Sequence, residues 1–135
     1  MMRLIGVYAV TAIVFLGLDF VWLSRVAKTF YASQLGGLLL ETPRLGIAGA
    51  FYALYVVGIV VFAILPAQRD GSFVTAAMLG ALLGLVAYAT YDITNYATLK
   101  GWPATVVAVD IAWCIFVTAA SALAGYAAAR LILAG

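Results

Sequence analysis

The sequence is poor in charged residues and contains no histidine. Of its 135 residues only 9% are charged, and the formal net charge is +2. Because an ordinary soluble domain carries about 25% charged residues, this composition excludes a soluble globule. So small a net charge gives no indication of nucleic-acid binding. Without histidine there is no imidazole ligand for a metal, and with Cys114 as the single cysteine no intramolecular disulfide can form. The sequence contains no haem, flavin or zinc motif, so it identifies no cofactor.

The sequence consists mainly of long apolar runs. Hydrophobic residues make up 67% of the chain. Several runs reach at least about 18 residues, and a helix of that length, rising about 1.5 Å per residue, crosses about 30 Å of hydrocarbon. The run after Arg3 continues to about Leu23, beyond the roughly 7 to 15 residues of a signal-peptide core, and no small-residue cleavage site precedes Asp19. We therefore predict an all-α integral membrane protein whose first helix is retained.

Turn signals divide the apolar sequence into four predicted spans. Thr42 is a plausible N-cap before Pro43, residues 66–71 form a turn before a capping Ser72, and "LKGW" precedes Pro103. Short connections predict a four-helix antiparallel bundle with both termini on one side of the membrane. It forms a single transmembrane domain over residues 1–135. The predicted helices are 3–23, 43–65, 72–97 and 103–133.

The first connection is apolar as well as basic. Arg25 and Lys28 are followed there by Phe30, Tyr31 and Leu38, so we expect this segment to lie along the membrane interface. Lysine and arginine number three on the terminal side of the bundle and four on the other. That balance does not decide the orientation under the positive-inside rule.

Small residues recur at four-residue intervals on two of the predicted helices. In lipid, such residues let helix backbones approach closely. Packing within one chain is the first interpretation, and a surface for a second copy or another membrane protein is the alternative. The residues are Ala76, Gly80 and Gly84 on the third helix and Ser121, Gly125 and Ala129 on the fourth. The partner-binding faces, if any, would centre on Gly80, Gly84 and Gly125.

Three aspartates fall inside the predicted spans. At about 1.5 Å per residue, their offsets from the nearest turn or basic residue correspond to roughly 9 to 12 Å along the helix axis. Since the first and third helices run toward one membrane face and the fourth leaves from it, we expect the three carboxyl groups to lie at a similar depth. They are Asp19, six residues before Arg25; Asp92, eight before Lys100; and Asp110, seven after Pro103.

Helical spacing directs these acids toward the bundle interior. The small-residue stripe of the third helix continues through Tyr88 to Asp92, and Asp110 shares a stripe with Cys114. The segments "DFVW" and "DIAW" each place a tryptophan three residues after an aspartate, and an indole N–H can donate to a carboxylate. An aromatic-belt role is the alternative for both tryptophans, Trp22 and Trp113.

Buried acids need a partner, water or a proton. An aspartate at the bilayer centre costs about 2.5 to 3.5 kcal/mol, so the three acids either hold the bundle in register or form a functional polar pocket. We predict the pocket, near one membrane face, with no catalytic roles assigned and with Asp92 and Asp110 as the ligands of any metal. The predicted ligand-binding residues are Asp92, Asn95, Asp110, Asp19, Trp22, Trp113, Tyr91 and Lys100.

The segments "LDFVWL", "YDITNYATLKGW" and "VDIAW" resemble a family of small bacterial four-helix membrane proteins known as domain of unknown function 2177. The likeness covers essentially the whole chain, and the "YDITNYATLKGW" run is its most specific part. The resemblance implies a multi-pass protein of the bacterial inner membrane. It implies no activity.

Three classes of function remain open from the sequence. The first is a pocket open to one membrane face that binds a proton, a hard cation such as calcium, magnesium or sodium, or a small polar or amine ligand. The second is an enzyme acting on a lipid or fatty-acyl substrate, with paired carboxyl groups as acid and base. The third is an accessory subunit that binds another membrane protein through the small-residue faces.

Overall fold

A computed structural model describes residues 2–39 and 44–133. In that part of the chain all regular structure is helical, which confirms the all-α prediction. Two short π-helical turns interrupt the α-helices. The elements in chain order are α1 (Met2–Trp22), a π-helical turn (Leu23–Ala27), α2 (Lys28–Leu35), a 3₁₀ turn (Gly36–Leu38), α3 (Leu45–Ile59), a second π-helical turn (Val60–Ile64), α4 (Leu65–Asp70), α5 (Phe73–Thr98) and α6 (Ala104–Leu133).

Four stretches within the described ranges are long and apolar enough to cross a membrane, as predicted. The first differs from its predicted bounds, because the chain stays helical well past Leu23. No proline or glycine interrupts residues 24–35, so nothing in the backbone stops the helix there. At about 1.5 Å per residue its 37 residues exceed the roughly 30 Å of hydrocarbon, so its last turns extend beyond the membrane core. The stretches are Met2–Leu38, Leu45–Asp70, Phe73–Thr98 and Ala104–Leu133.

The turn between the second and third spans is shorter than predicted. Pro66 lies in the first turn of α4, where a missing N–H is tolerated, and the π-helical turn before it loosens the helix. The chain reverses at Gly71, whose φ of 65° is left-handed. Ser72 then caps α5 as predicted, since its Oγ accepts the Thr75 backbone N–H at 3.2 Å. The predicted cap and start at Thr42 and Pro43 lie outside the described residues.

The small-residue stripes pack inside the chain. A Cβ added at Gly80 would lie 2.9 Å from the Ala122 Cβ, and one added at Gly84 would overlap the Cys114 carbonyl. A Cβ at Gly125 would overlap Thr11 and Ile64. The space beside Gly80 and Gly84 is therefore occupied by α6, and the space beside Gly125 by α1 and the second π-helical turn. The alternative interpretation of Gly80, Gly84 and Gly125 as faces for a second chain is wrong for these residues, because their space is already occupied.

Helix α6 lies at the centre of the bundle. It packs along α5 on one side and along α1 on the other. The second span reaches this core through Phe15, whose ring lies 5.5 Å from that of Tyr52 and 5.4 Å from that of Tyr55. The second π-helical turn packs against α5, whereas α3 itself packs against α1 and α6 and makes at most a marginal contact with α5. The second and third spans consequently diverge from the π-helical turn toward the membrane face that bears Arg44.

Candidate functional site

The three membrane aspartates are staggered along α6 rather than level. The glycine contacts set the antiparallel register of α5 and α6, with Gly84 opposite Cys114, so the next turns bring Tyr88 opposite Asp110 and Asp92 opposite Val106. Asp19 contacts Trp113. Asp92 at the level of Val106, Asp110 itself and Asp19 at the level of Trp113 are thus separated along α6 by about one turn each, or roughly 10 Å from the first to the last. The prediction of equal depth assumed that the first helix ends near Arg25. The chain remains helical beyond Arg25, so the distance from Asp19 to Arg25 does not measure depth, and Asp19 lies deepest of the three acids.

Asp19 is held by a contact between two helices. Its side chain is 8% exposed, and the Trp113 indole Nε1 donates to its Oδ1 at 3.3 Å. The Trp113 ring also stacks on Trp22, with 4.4 Å between ring centroids and an interplanar angle of 9°. The two aspartate–tryptophan motifs therefore meet across α1 and α6, because antiparallel helices bring oppositely directed copies together. Among the described residues Asp19 forms no ion pair with Arg25, and its Oδ2 is buried without a hydrogen bond.

Asp92 is the most deeply buried of the three acids. Its side chain is 0% exposed, and neither carboxyl oxygen has a hydrogen-bond partner. The Trp102 indole N–H lies close to this carboxyl group, but the two groups do not have hydrogen-bond geometry, and the Trp102 Nε1 is also buried without a hydrogen bond. It is unusual for a buried carboxyl group and a neighbouring buried indole N–H both to lack a hydrogen bond, since buried polar groups in proteins are nearly always hydrogen-bonded.

Trp102 reaches Asp92 because the "LKGW" turn folds back over the end of α5. The helix ends at Thr98, and Gly101 adopts a left-handed φ of 76° that residues with a Cβ rarely adopt. The Trp102 ring then packs edge-on against Tyr91, with 5.7 Å between ring centroids. The start and end of the sequence motif "YDITNYATLKGW" thus meet in space at Asp92.

Cys114 lies near the deep end of the series of acids. Its thiol is buried and interacts electrostatically with Asp19, Asp92 and Asp110 as well as with Tyr88. Asp110 is half-buried, and no hydrogen bond to its carboxyl group occurs within the described ranges. The three carboxyl groups consequently lie in series along α6 without binding one another.

Sequence analysis missed two tyrosines of the second span. The Tyr52 hydroxyl lies close to the Asp19 carboxyl group, although no oxygen of Asp19 accepts a hydrogen bond from it. The Tyr55 hydroxyl is hydrogen-bonded to the Thr118 hydroxyl at 2.8 Å in the buried core. Two tyrosines three residues apart in an otherwise apolar helix share one face, and that spacing is the signal that would have revealed them. Together with Tyr88 they extend the polar interior toward the bundle centre.

Of the other predicted site residues, only Tyr91 lies near an acid, Asp92, and its side chain is largely turned outward. Tyr91 is 51% exposed, Lys100 is exposed and Asn95 is half-exposed. No hydrogen bond or ion pair joins the side chain of Asn95 or Lys100 to a carboxyl group in the part of the chain that the structure describes. No group of three or more acidic or cysteine side chains there has the geometry to hold a metal ion.

The Tyr55–Thr118 hydrogen bond is expected to stabilise the bundle measurably. Tyr55→Phe leaves a buried threonine hydroxyl without its partner, and we expect the free energy of unfolding to fall by about 1 to 2 kcal/mol. The double variant Tyr55→Phe, Thr118→Val removes both polar groups and should recover part of this loss. Unfolding of the purified protein by denaturing detergent measures both effects. Equal stability of the native chain and the single variant would contradict the contribution of this bond.

Comparison with known proteins identifies the family. The family described as "Predicted membrane protein (DUF2177)" matches residues 4–127. No curated protein and no solved structure matches the chain. With the match covering nearly the whole sequence, the chain belongs to this family of predicted membrane proteins.

Proposed function

We propose that the protein binds a proton within the membrane at a carboxyl site formed by Asp92, Asp110 and Asp19. The observation that carries the proposal is Asp92, which is 0% exposed and has no hydrogen bond to either carboxyl oxygen. A charged, unpaired aspartate inside the membrane is costly, by as much as about 2.5 to 3.5 kcal/mol at the bilayer centre and by less toward the interface. A bound proton removes that charge without requiring space for a larger ligand.

The stagger of the acids supports proton exchange with one membrane face. Asp92 lies nearest the face that carries Lys100, Asp110 follows about one turn deeper, and Asp19 is deepest. The thiol of Cys114 interacts with all three. Hydroxyl groups continue the polar series inward as far as the hydrogen-bonded pair Tyr55 and Thr118. A proton that enters from this face therefore meets carboxyl groups in succession.

The other functions open from the sequence have less support. A hard cation needs several oxygen ligands at once, and no such cluster occurs among the described side chains. An amine ligand would have to reach Asp92, whose side chain has no accessible surface. An accessory-subunit role relied on the glycine faces, which are filled within the chain.

We further propose that the membrane is the bacterial inner membrane. The resemblance of the quoted motifs to a bacterial family supports this location. Its α-helical spans also support it, since proteins that span the bacterial outer membrane are typically β-barrels.

Asp92→Asn is expected to remove a pH-dependent part of the stability. The unfolded chain releases this proton near about pH 4, whereas the folded protein holds it to higher pH. The stability of the native chain therefore falls as pH rises above about 4, and it levels off once the folded protein has also lost the proton. The expected fall is about 2 to 3 kcal/mol between about pH 4 and about pH 7. Asparagine has no proton to lose, so the variant keeps its stability at high pH. Thermal unfolding of the detergent-solubilised protein across this pH range measures the difference.

Neighbouring titratable groups require matched controls. Tyr91 on α5 and Cys114 on α6 both interact electrostatically with Asp92. Asp70→Asn changes an exposed aspartate whose Oδ2 accepts the Thr75 hydroxyl at 3.1 Å, and it should leave the fall in stability with pH intact. Trp102→Phe should do the same, because the proton belongs to the carboxyl group. If native protein and Asp92→Asn lose stability equally as pH rises, the proton site is refuted.

A further inference from the structure

A lipid-facing groove runs between α3 and α5, outside the acid site. Two adjoining cavities of about 460 Å³ and about 590 Å³ form it, and both are lined by Phe51, Ala87 and Thr90. We infer that this groove binds one acyl chain of a bilayer phospholipid, with the phosphate at the membrane face beside Arg44 and Lys100. The inference does not depend on the proposed proton site.

The groove exists because the second and third spans diverge. The second π-helical turn packs against α5, but the backbone of α3, which precedes it in the chain, stays apart from α5. The rings of Tyr55 and Tyr88 bridge the two helices, with 6.2 Å between ring centroids. The gap is therefore closed at its deep end and widens toward the membrane face where α3 begins and α5 ends. Tyr52 and Tyr88 form part of its wall and separate it from Cys114 and the acids. An occupant has to enter laterally from the bilayer.

The size and lining of the groove fit an acyl chain. Leu54 and Phe62 on its outer edge are 66% and 63% exposed, so the edge is apolar and faces hydrocarbon. From Ala48 to Phe62 it follows α3 for about 21 Å at 1.5 Å per residue, somewhat more than one leaflet of a hydrocarbon core about 30 Å thick. A transmembrane helix of another protein would not fit, because a helix about 10 Å in diameter over this length occupies about 1,600 Å³, more than either cavity offers. An extended acyl chain is far thinner than a helix.

The open end of the groove suits an anionic head group. Arg44 directly precedes α3, and Lys100 follows the end of α5 by two residues. Both side chains are exposed, and they lie at the same membrane face. Basic residues at this position attract the phosphate of anionic lipids. The groove thus has basic residues at one end and an apolar lining along the rest, which matches the charged head group and apolar acyl chain of a phospholipid.

Photochemical labelling of the full chain tests the groove. The protein is placed in nanodiscs that contain phosphatidylglycerol with a diazirine on one acyl chain, and the labelled residues are mapped by mass spectrometry. We expect labelling to concentrate at groove residues such as Leu54 and Leu83. Ile13 and Phe20 on α1 serve as the reference, because both are 71% exposed to the bilayer but lie outside the groove.

Filling the groove should abolish this enrichment. Ala87 lines both cavities, so Ala87→Phe obstructs them. Ala9→Phe places the same side chain on the exposed face of α1 and should change nothing. Ala48→Phe provides a second obstruction should the first variant fold poorly. Asp92→Asn should keep the enrichment, which separates this result from the test of the proton site.

The head-group assignment has its own measurement. Arg44→Gln should lower the preference for phosphatidylglycerol over phosphatidylcholine about fivefold, corresponding to about 1 kcal/mol per basic residue at a lipid surface. Lys100→Gln should act similarly. Labelling spread over all four spans in proportion to exposure would overturn the groove as a binding site. Equal labelling by a diazirine fatty acid would overturn the assignment of a phospholipid.

Discussion

Gly84→Ala is expected to lower the free energy of unfolding by about 3 kcal/mol. The added methyl group would overlap the Cys114 backbone carbonyl and lie 3.0 Å from the Thr118 Oγ1. A backbone carbonyl cannot rotate away, so α5 and α6 would have to separate along their common interface. That separation would also disturb Asp92, two turns further along α5. Unfolding by denaturing detergent measures the loss.

A second glycine provides the matched control for this variant. Gly17 lies within α1, and an added Cβ there meets nothing within 4 Å. Gly17→Ala removes the conformational freedom of glycine without a clash, so it should stabilise the helix by about 0.5 to 1 kcal/mol. Opposite signs for the two substitutions are the expected result. A neutral or stabilising Gly84→Ala would show that the two helices pack less closely than described.

Trp113→Ala is expected to cost about 3 kcal/mol as well, for a different reason. The substitution removes the ring stacked on Trp22 and leaves a cavity between α1 and α6. It also removes the indole donor to Asp19, whose other carboxyl oxygen is already unpartnered. The buried carboxyl group then loses its indole donor and keeps Tyr52 as a polar neighbour. Thermal unfolding in detergent at a fixed pH records the combined loss.

Trp113→Phe separates the two contributions. Phenylalanine keeps an aromatic ring against Trp22 but has no N–H, so the variant should lose only about 1 to 2 kcal/mol. Trp22→Phe changes the other ring of the stack and leaves the donor to Asp19 in place, so it should cost less than Trp113→Ala. Trp113→Phe and Trp113→Ala with equal, negligible effects would rule out the contact between α1 and α6 as a stabilising element.

The surroundings of Asp92 and Asp19 show how far sequence analysis could predict the site. Helical spacing correctly predicted that Asp92 follows the small-residue stripe of α5, and its burial results from that stripe. The same spacing did not predict that Trp102 returns to it from beyond the helix. The donor to Asp19 is likewise on another helix, although Trp113 was predicted as a possible donor. In each case the missing information was the position of a residue on a separate segment.

Hydrophobicity and the spacing of small residues, which the sequence carries by itself, determined that this chain crosses a membrane four times and which faces of α5 and α6 pack inside the bundle. Hydrocarbon imposes these features locally, because each span must be long, apolar and internally hydrogen-bonded. Only the tertiary structure decided the depth of each acid, the meeting of the two aspartate–tryptophan motifs and the divergence of α3 from α5. Those features depend on register and rotation between helices, which are set by contacts such as Gly84 against the Cys114 carbonyl.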